Sequence, residues 1–163
     1  MTYCKSTEDW KEILPQRLSL LGHRNWIVIA DAAYPTQTSP GIETRCTDAD
    51  QVEVLRETLK EIESSSHVRP IVYLDGELPF LTEKYAPGID RYREQLNEAM
   101  LDTPVQSLPH DEIIAKLDEA GKAFQVLLLK TTMTLPYTTV FIQLDCGYWD
   151  DEAEHDLRHR INA

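Results

Sequence analysis

With 163 residues, the chain is the size of one domain and long enough to bury a real core. Apolar residues make up 42% and charged residues 27%, which excludes a disordered chain and fits a soluble globular one. The 28 acidic and 16 basic side chains give a formal net charge of −12. That field repels phosphate backbones, so no nucleic-acid partner is expected, while a neutral ligand is indifferent to it. Cys4, Cys46 and Cys146 show no paired spacing and read as thiols of a reducing compartment. No basic start leads into an apolar run, and the longest apolar stretches are strand-sized, so no membrane partner and a cytoplasmic location are expected.

Along the chain the elements alternate. Ser6 before Thr7, Glu8 and Asp9 suits a helix start, and Trp10, Ile13, Leu14, Leu18 and Leu21 continue it, with a kink or restart at Pro15. Gly22 closes it, where positive φ is commonly needed. Trp26–Ala30 is an unbroken apolar run, the pattern of a strand buried on both faces. The Pro-, Thr-, Ser- and Gly-rich stretch 34–50 reads as a long loop. Asp50 then caps a helix carrying Val52, Leu55, Leu59 and Ile62. A second buried-type strand covers Pro70–Leu74, followed by a helix near Ile89–Leu101, a short strand at Val105 and a helix over Asp111–Lys122. Phe124–Leu129 and Val140–Leu144 are two last strands, whose short connection suggests an antiparallel pair. The expected fold is α/β, three-layered, with a largely parallel central sheet flanked by helices in a single domain, residues 1–149. Residues 150–163 form a charged tail, either a peripheral helix or disordered.

Ligands in parallel α/β sheets collect at the carboxyl ends of strands, where Asp31 stands directly after the first apolar run. It is either a turn residue or a carboxylate held near the low-dielectric core for a purpose. His23 precedes the same strand and reads as a helix-end histidine or as an acid/base group. A strand of five residues spans roughly 17 Å at about 3.4 Å per residue. One site using both His23 and Asp31 would therefore need a folded-back loop or a second subunit. His110 opens a helix after Pro109, either as solvated surface or as a second acid/base group. Tyr137, after Pro136, is a packing residue or a hydroxyl donor. His155 and His159 are four apart but lack a third ligand, so no metal is expected. No Gly-rich phosphate loop, Gly-x-Ser-x-Gly elbow or Cys-x-x-Cys pair is present.

The segment from Leu21-Gly22-His23 through Trp26–Ala30 to Asp31-Ala32-Ala33-Tyr34-Pro35 resembles the opening motif of the D-ribose pyranase and L-fucose mutarotase family. Weaker echoes follow in order. Asp90-Arg91-Tyr92-Arg93 is similar to the Arg-Tyr segment of the fucose branch, and His110-Asp111-Glu112 to the second histidine segment of the ribose branch. Tyr137, leading into Val140-Phe141-Ile142 and Gly147, resembles the Tyr-x-Asn strand and terminal glycine of both. The family's asparagine is Thr139 in this chain, and Lys130-Thr131-Thr132 replaces its glycine-containing turn.

The resemblance implies a cofactor-independent isomerase that opens the ring of a free monosaccharide by acid/base catalysis. It gives His23 as leading acid/base, Asp31 as its partner, and His110 and Tyr137 as groups sharing proton transfer. Arg91, Tyr92 and Thr139 would bind substrate. It also implies a ring-forming homo-oligomer, a pentamer or decamer, with each site completed by a neighbouring subunit. The alternative that Thr139 and the altered turn suggest is a non-catalytic sugar-binding or regulatory module.

Overall fold

The computed structural model describes residues 9–163. In chain order the elements are α1 (Trp10–Leu20), β1 (Trp26–Ala30), β2 (Ile42–Cys46), α2 (Gln51–Glu63), β3 (Val68–Asp75), α3 (Ile89–Ala99), β4 (Val105–Leu108), α4 (His110–Ala123), β5 (Val126–Lys130), β6 (Val140–Cys146) and α5 (Asp151–Ile161). The sheet has strand order β2-β5-β1-β6-β3-β4. β1–β5, β2–β5 and β3–β4 are parallel, while β6 runs antiparallel to both β1 and β3. This is the expected α/β architecture, with one revision. β6 does not pair with β5; it inserts between β1 and β3.

Alternating side chains divide between two apolar layers. Ile27, Ile29, Leu127, Leu129, Val140 and Ile142 face Leu14 and Leu18 of α1, Leu55 and Ile62 of α2, and Leu96 of α3. Trp26, Val28, Ala30, Val126, Leu128 and Phe141 face the other way, onto Ile113 and Leu117 of α4. Every residue of β1 is buried, which is why its sequence is an apolar run without alternation. Each of its Ile and Val side chains contributes roughly 1.5–3 kcal/mol on full burial.

Several local expectations are corrected. Asp9 caps α1, accepting from Lys11 N–H at 3.0 Å; the start expected at Ser6 lies outside the described residues. α1 continues through Pro15, because Ile13, Leu14 and Leu18 hold both halves against the core. Leu21, with φ −82°, ends the helix, and positive φ falls on Arg24 rather than on Gly22. The loop expected over 34–50 contains β2. Cys46, at the end of β2, is disulfide-bonded, whereas Cys146 is free. Cys4 lies outside the described residues. The reading of all the cysteines as thiols therefore fails at Cys46, and cysteine usage no longer argues for a reducing compartment. The charged tail is helical, as α5, without a buried residue. Among the described residues no helix is long and apolar enough to cross a membrane.

Candidate active site at the carboxyl ends of the strands

β1 leaves the core at Asp31, and the start of antiparallel β6 brings Thr139 beside it. The Thr139 hydroxyl accepts from Asp31 N–H at 3.2 Å and donates to Asp31 Oδ1 at 3.3 Å. Asp31 is half-buried, and this burial raises its pKa above the ordinary carboxylate range; the Thr139 hydrogen bond and the Lys130 charge oppose the rise. Lys130 ends β5, in register with Ala30. Its Nζ donates to Tyr34 O at 2.8 Å and ties down the loop that follows Asp31.

A second carboxylate ends β3. Asp75 is 1% exposed, and its Oδ1 lies 3.0 Å from His110 Nδ1. The next two residues complete a clamp. Gly76 N–H donates to Leu108 O at 2.8 Å, and both Glu77 carboxylate oxygens stand 3.1 Å from His110 N. Pro109, at the α4 N-cap, offers no side-chain cap, so Glu77 supplies from another element what a capping residue would. The His110 ring meets Tyr137 edge-on at 5.6 Å and also contacts Phe141 at 6.5 Å. Burial raises the pKa of Asp75, against the His110 hydrogen bond, and the charges of Glu77 and Asp31 raise it further. His110 in turn acts on Asp31.

The segment carrying Tyr137 and Thr139 rests on a buried polar network. Thr138 O accepts from the Tyr92 hydroxyl at 2.6 Å and from Gln51 Nε2, which also donates to that hydroxyl at 2.9 Å. Gln51 Oε1 accepts from the Thr131 hydroxyl at 3.1 Å. All four residues are buried, so their partners are obligatory. Next to this network Tyr137 has φ +56°, a conformation uncommon for a residue with a side chain. Its ring stays 42% exposed beside His110.

Asp31, His110, Tyr137 and Thr139 are thus brought to one end of the sheet. His23 is not. It is exposed at the opposite end of β1, where its Nδ1 lies 2.9 Å from Asp145 Oδ1 and Asp145 Oδ2 accepts from Arg69 at 2.6 Å. Burial pushes the Asp145 pKa up, but the Cys146 N–H and Arg69 outweigh it and hold it below its ordinary value. The loop after α1 does not fold back, since Arg24 N–H is bound to Leu144 O at 3.1 Å. Tyr92 is a core residue with its hydroxyl committed to Thr138 O, and Arg91 is exposed on α3. His155 and His159 are exposed on α5.

Sequence reasoning missed Asp75, Glu77 and Lys130. For Asp75 a signal existed, because it ends the apolar strand run of β3 just as Asp31 ends that of β1. Glu77 and Lys130 depend on contacts across 33 and 96 residues, which no local pattern shows.

The cluster holds carboxylates, an imidazole, a phenol and a hydroxyl at one end of the sheet, a set able to remove one proton while delivering another. Residues 11–146 match the model of the RbsD / FucU transport protein family. The chain belongs to that family. Bacillus subtilis RbsD, solved in complex with D-ribose, aligns with TM-score 0.54 and 19% identity over 89% of this chain and 98% of that one. FucU from Bifidobacterium longum aligns with TM-score 0.51 and 18% identity over 80% of this chain and 94% of its own. The Streptococcus pneumoniae fucose mutarotase, solved with L-fucose, gives TM-score 0.51 and 17% identity over 80% and 89%. At these identities the likeness is one of fold. No curated protein matches the chain. The family match stops where β6 stops, so this member carries α5 beyond it.

Proposed function

We propose that the chain is a monosaccharide mutarotase or pyranase that interconverts ring forms of a free aldose by acid/base catalysis. The observation that carries this reading is the convergence of Asp31, His110, Tyr137 and Thr139 at the carboxyl ends of the strands. Family membership supports it, as do the two similar structures that hold D-ribose and L-fucose.

Ring opening needs a base to take the proton of the anomeric hydroxyl and an acid to protonate the ring oxygen as its bond to the anomeric carbon breaks. The open-chain aldehyde rotates and recloses by the reverse transfers. In this reading His110 and Asp31 exchange protons with the sugar, and the Tyr137 hydroxyl and Thr139 orient it. No hydride moves, so the reaction asks for no redox cofactor. Tyr92 contributes by holding the Thr138 carbonyl. His23, at the far end of β1, takes part only from a neighbouring copy of the chain, which makes the active form a homo-oligomer with shared sites.

The test is saturation-transfer NMR on a panel of aldoses. Faster anomer exchange for at least one sugar is expected; no acceleration for any sugar rejects the proposal. A second reading, a sugar-binding module without turnover, is favoured by one observation: the Thr139 hydroxyl is already engaged with Asp31 on both its donor and acceptor sides. Calorimetric sugar binding with unchanged exchange would select it.

A further inference from the structure

The carboxylate of Asp75 is sealed from the site. It is 1% exposed, Oδ1 is taken by His110 Nδ1, and Oδ2 is a buried oxygen without a hydrogen-bond partner among the described residues. Leaving such an atom unsatisfied costs stability, and more so for a charged group. A fold that keeps an acid under these conditions retains a group of use elsewhere. Oδ2 is inaccessible to any sugar, so Asp75 can act only through the imidazole. The His110 backbone N–H donates to Glu77, and the imidazole itself is held by Asp75 on Nδ1 and by the rings of Tyr137 and Phe141 packed against it. Nε2 has no hydrogen-bond partner among the described residues and belongs to a side chain one-third exposed.

We propose that Asp75 is a positioning residue that keeps the proton of neutral His110 on Nδ1, leaving Nε2 as the proton acceptor turned to the substrate. This rests on the sugar-isomerase reading for its catalytic consequence but not for its geometry. A carboxylate bound to one imidazole nitrogen fixes both tautomer and ring orientation. The charged groups around the pair are Glu77, at the α4 N-terminus, and Asp31, whose charge reaches both members.

The experiment is nitrogen-15 NMR of the His110 ring in the intact protein, with Asp75→Asn as the isosteric variant. In the wild type the neutral ring is expected in the Nδ1–H form. Asp75→Asn is expected to shift the population toward Nε2–H and to slow exchange about a hundredfold, with sugar affinity unchanged. A wild-type ring in the Nε2–H form, or an unchanged tautomer in Asp75→Asn, overturns the proposal. A changed tautomer with exchange within threefold of wild type overturns its catalytic role. The wild-type spectrum decides even if the variant fails to fold. A wild type that accelerates no sugar counts against the sugar reading alone, because the tautomer readout requires no turnover.

Discussion

Asp31 and Asp75 each end a strand and are each pushed above the ordinary carboxylate range by burial, so at the residue scale the site works against stability. For Asp31 the direction gives a pH signature. A folded-state pKa above the unfolded one means that ionisation opposes folding. That cost is absent below the unfolded value, near 3.8, and develops as pH rises through the folded one. Asp31→Asn should therefore be more stable than wild type at pH 7, with the gain fading as pH falls toward 4, measured by urea melts at both values. A gain independent of pH would contradict this. His110→Ala removes the imidazole between Asp75 and Tyr137 and should slow exchange a hundredfold or more. Thr139→Ala deletes two hydrogen bonds to Asp31 and should lower stability by about 1 kcal/mol in the same melts. At this scale Asp31 was legible because an acid abruptly ended an apolar run. Asp75 carries the same mark, but only the fold sets it against His110.

The elements show why part of the fold was legible and part was not. β1 and β5 announce themselves because burial on both faces demands unbroken apolar runs. β2 does not. It is an edge strand, Ile-Glu-Thr-Arg-Cys, whose Glu43 is paired with Arg17 at 3.0 Å and with Arg45 at 2.7 Å. Charge on an edge protects it from unwanted pairing and hides it in a sequence reading. β2 is positioned by a backbone approach. A Cβ on Gly41 would stand 2.3 Å from Gly121 O and 2.8 Å from Phe124 O, at the last turn of α4. Gly41→Ala should therefore lower stability by about 1–3 kcal/mol, seen as a lower melting temperature with the α4 helix signal retained. An unchanged melt would show that this approach is easily relaxed. The place of β6 between β1 and β3 was beyond any local signal, since periodicity reports burial and not neighbours. That insertion sets Thr139 against Asp31 and Asp145 against His23 with a single strand.

For the whole molecule the consequence is two clusters at opposite ends of β1 and β6. If His23 completes the site of a neighbouring copy, His23→Ala and His110→Ala should each be inactive alone and regain part of the activity when their subunits are mixed and reassembled. Complementation fails if one chain supplies the whole site, and light scattering of the wild type should show an assembly larger than one chain. The resemblance in the Gly22-His23 to Pro35 segment foretold the family and the architecture, and the strand length between His23 and Asp31 already set the two apart; the pairing of His23 with Asp145 became visible only with the chain folded. The most direct measurement is the anomer-exchange rate by saturation-transfer NMR, with wild type and His110→Ala compared on the sugar that responds best. Acceleration by wild type that is lost in a folded His110→Ala protein is the predicted result. Exchange no faster than the uncatalysed rate in wild type, or equal in the two proteins, would contradict the assignment of acid/base chemistry to this cluster.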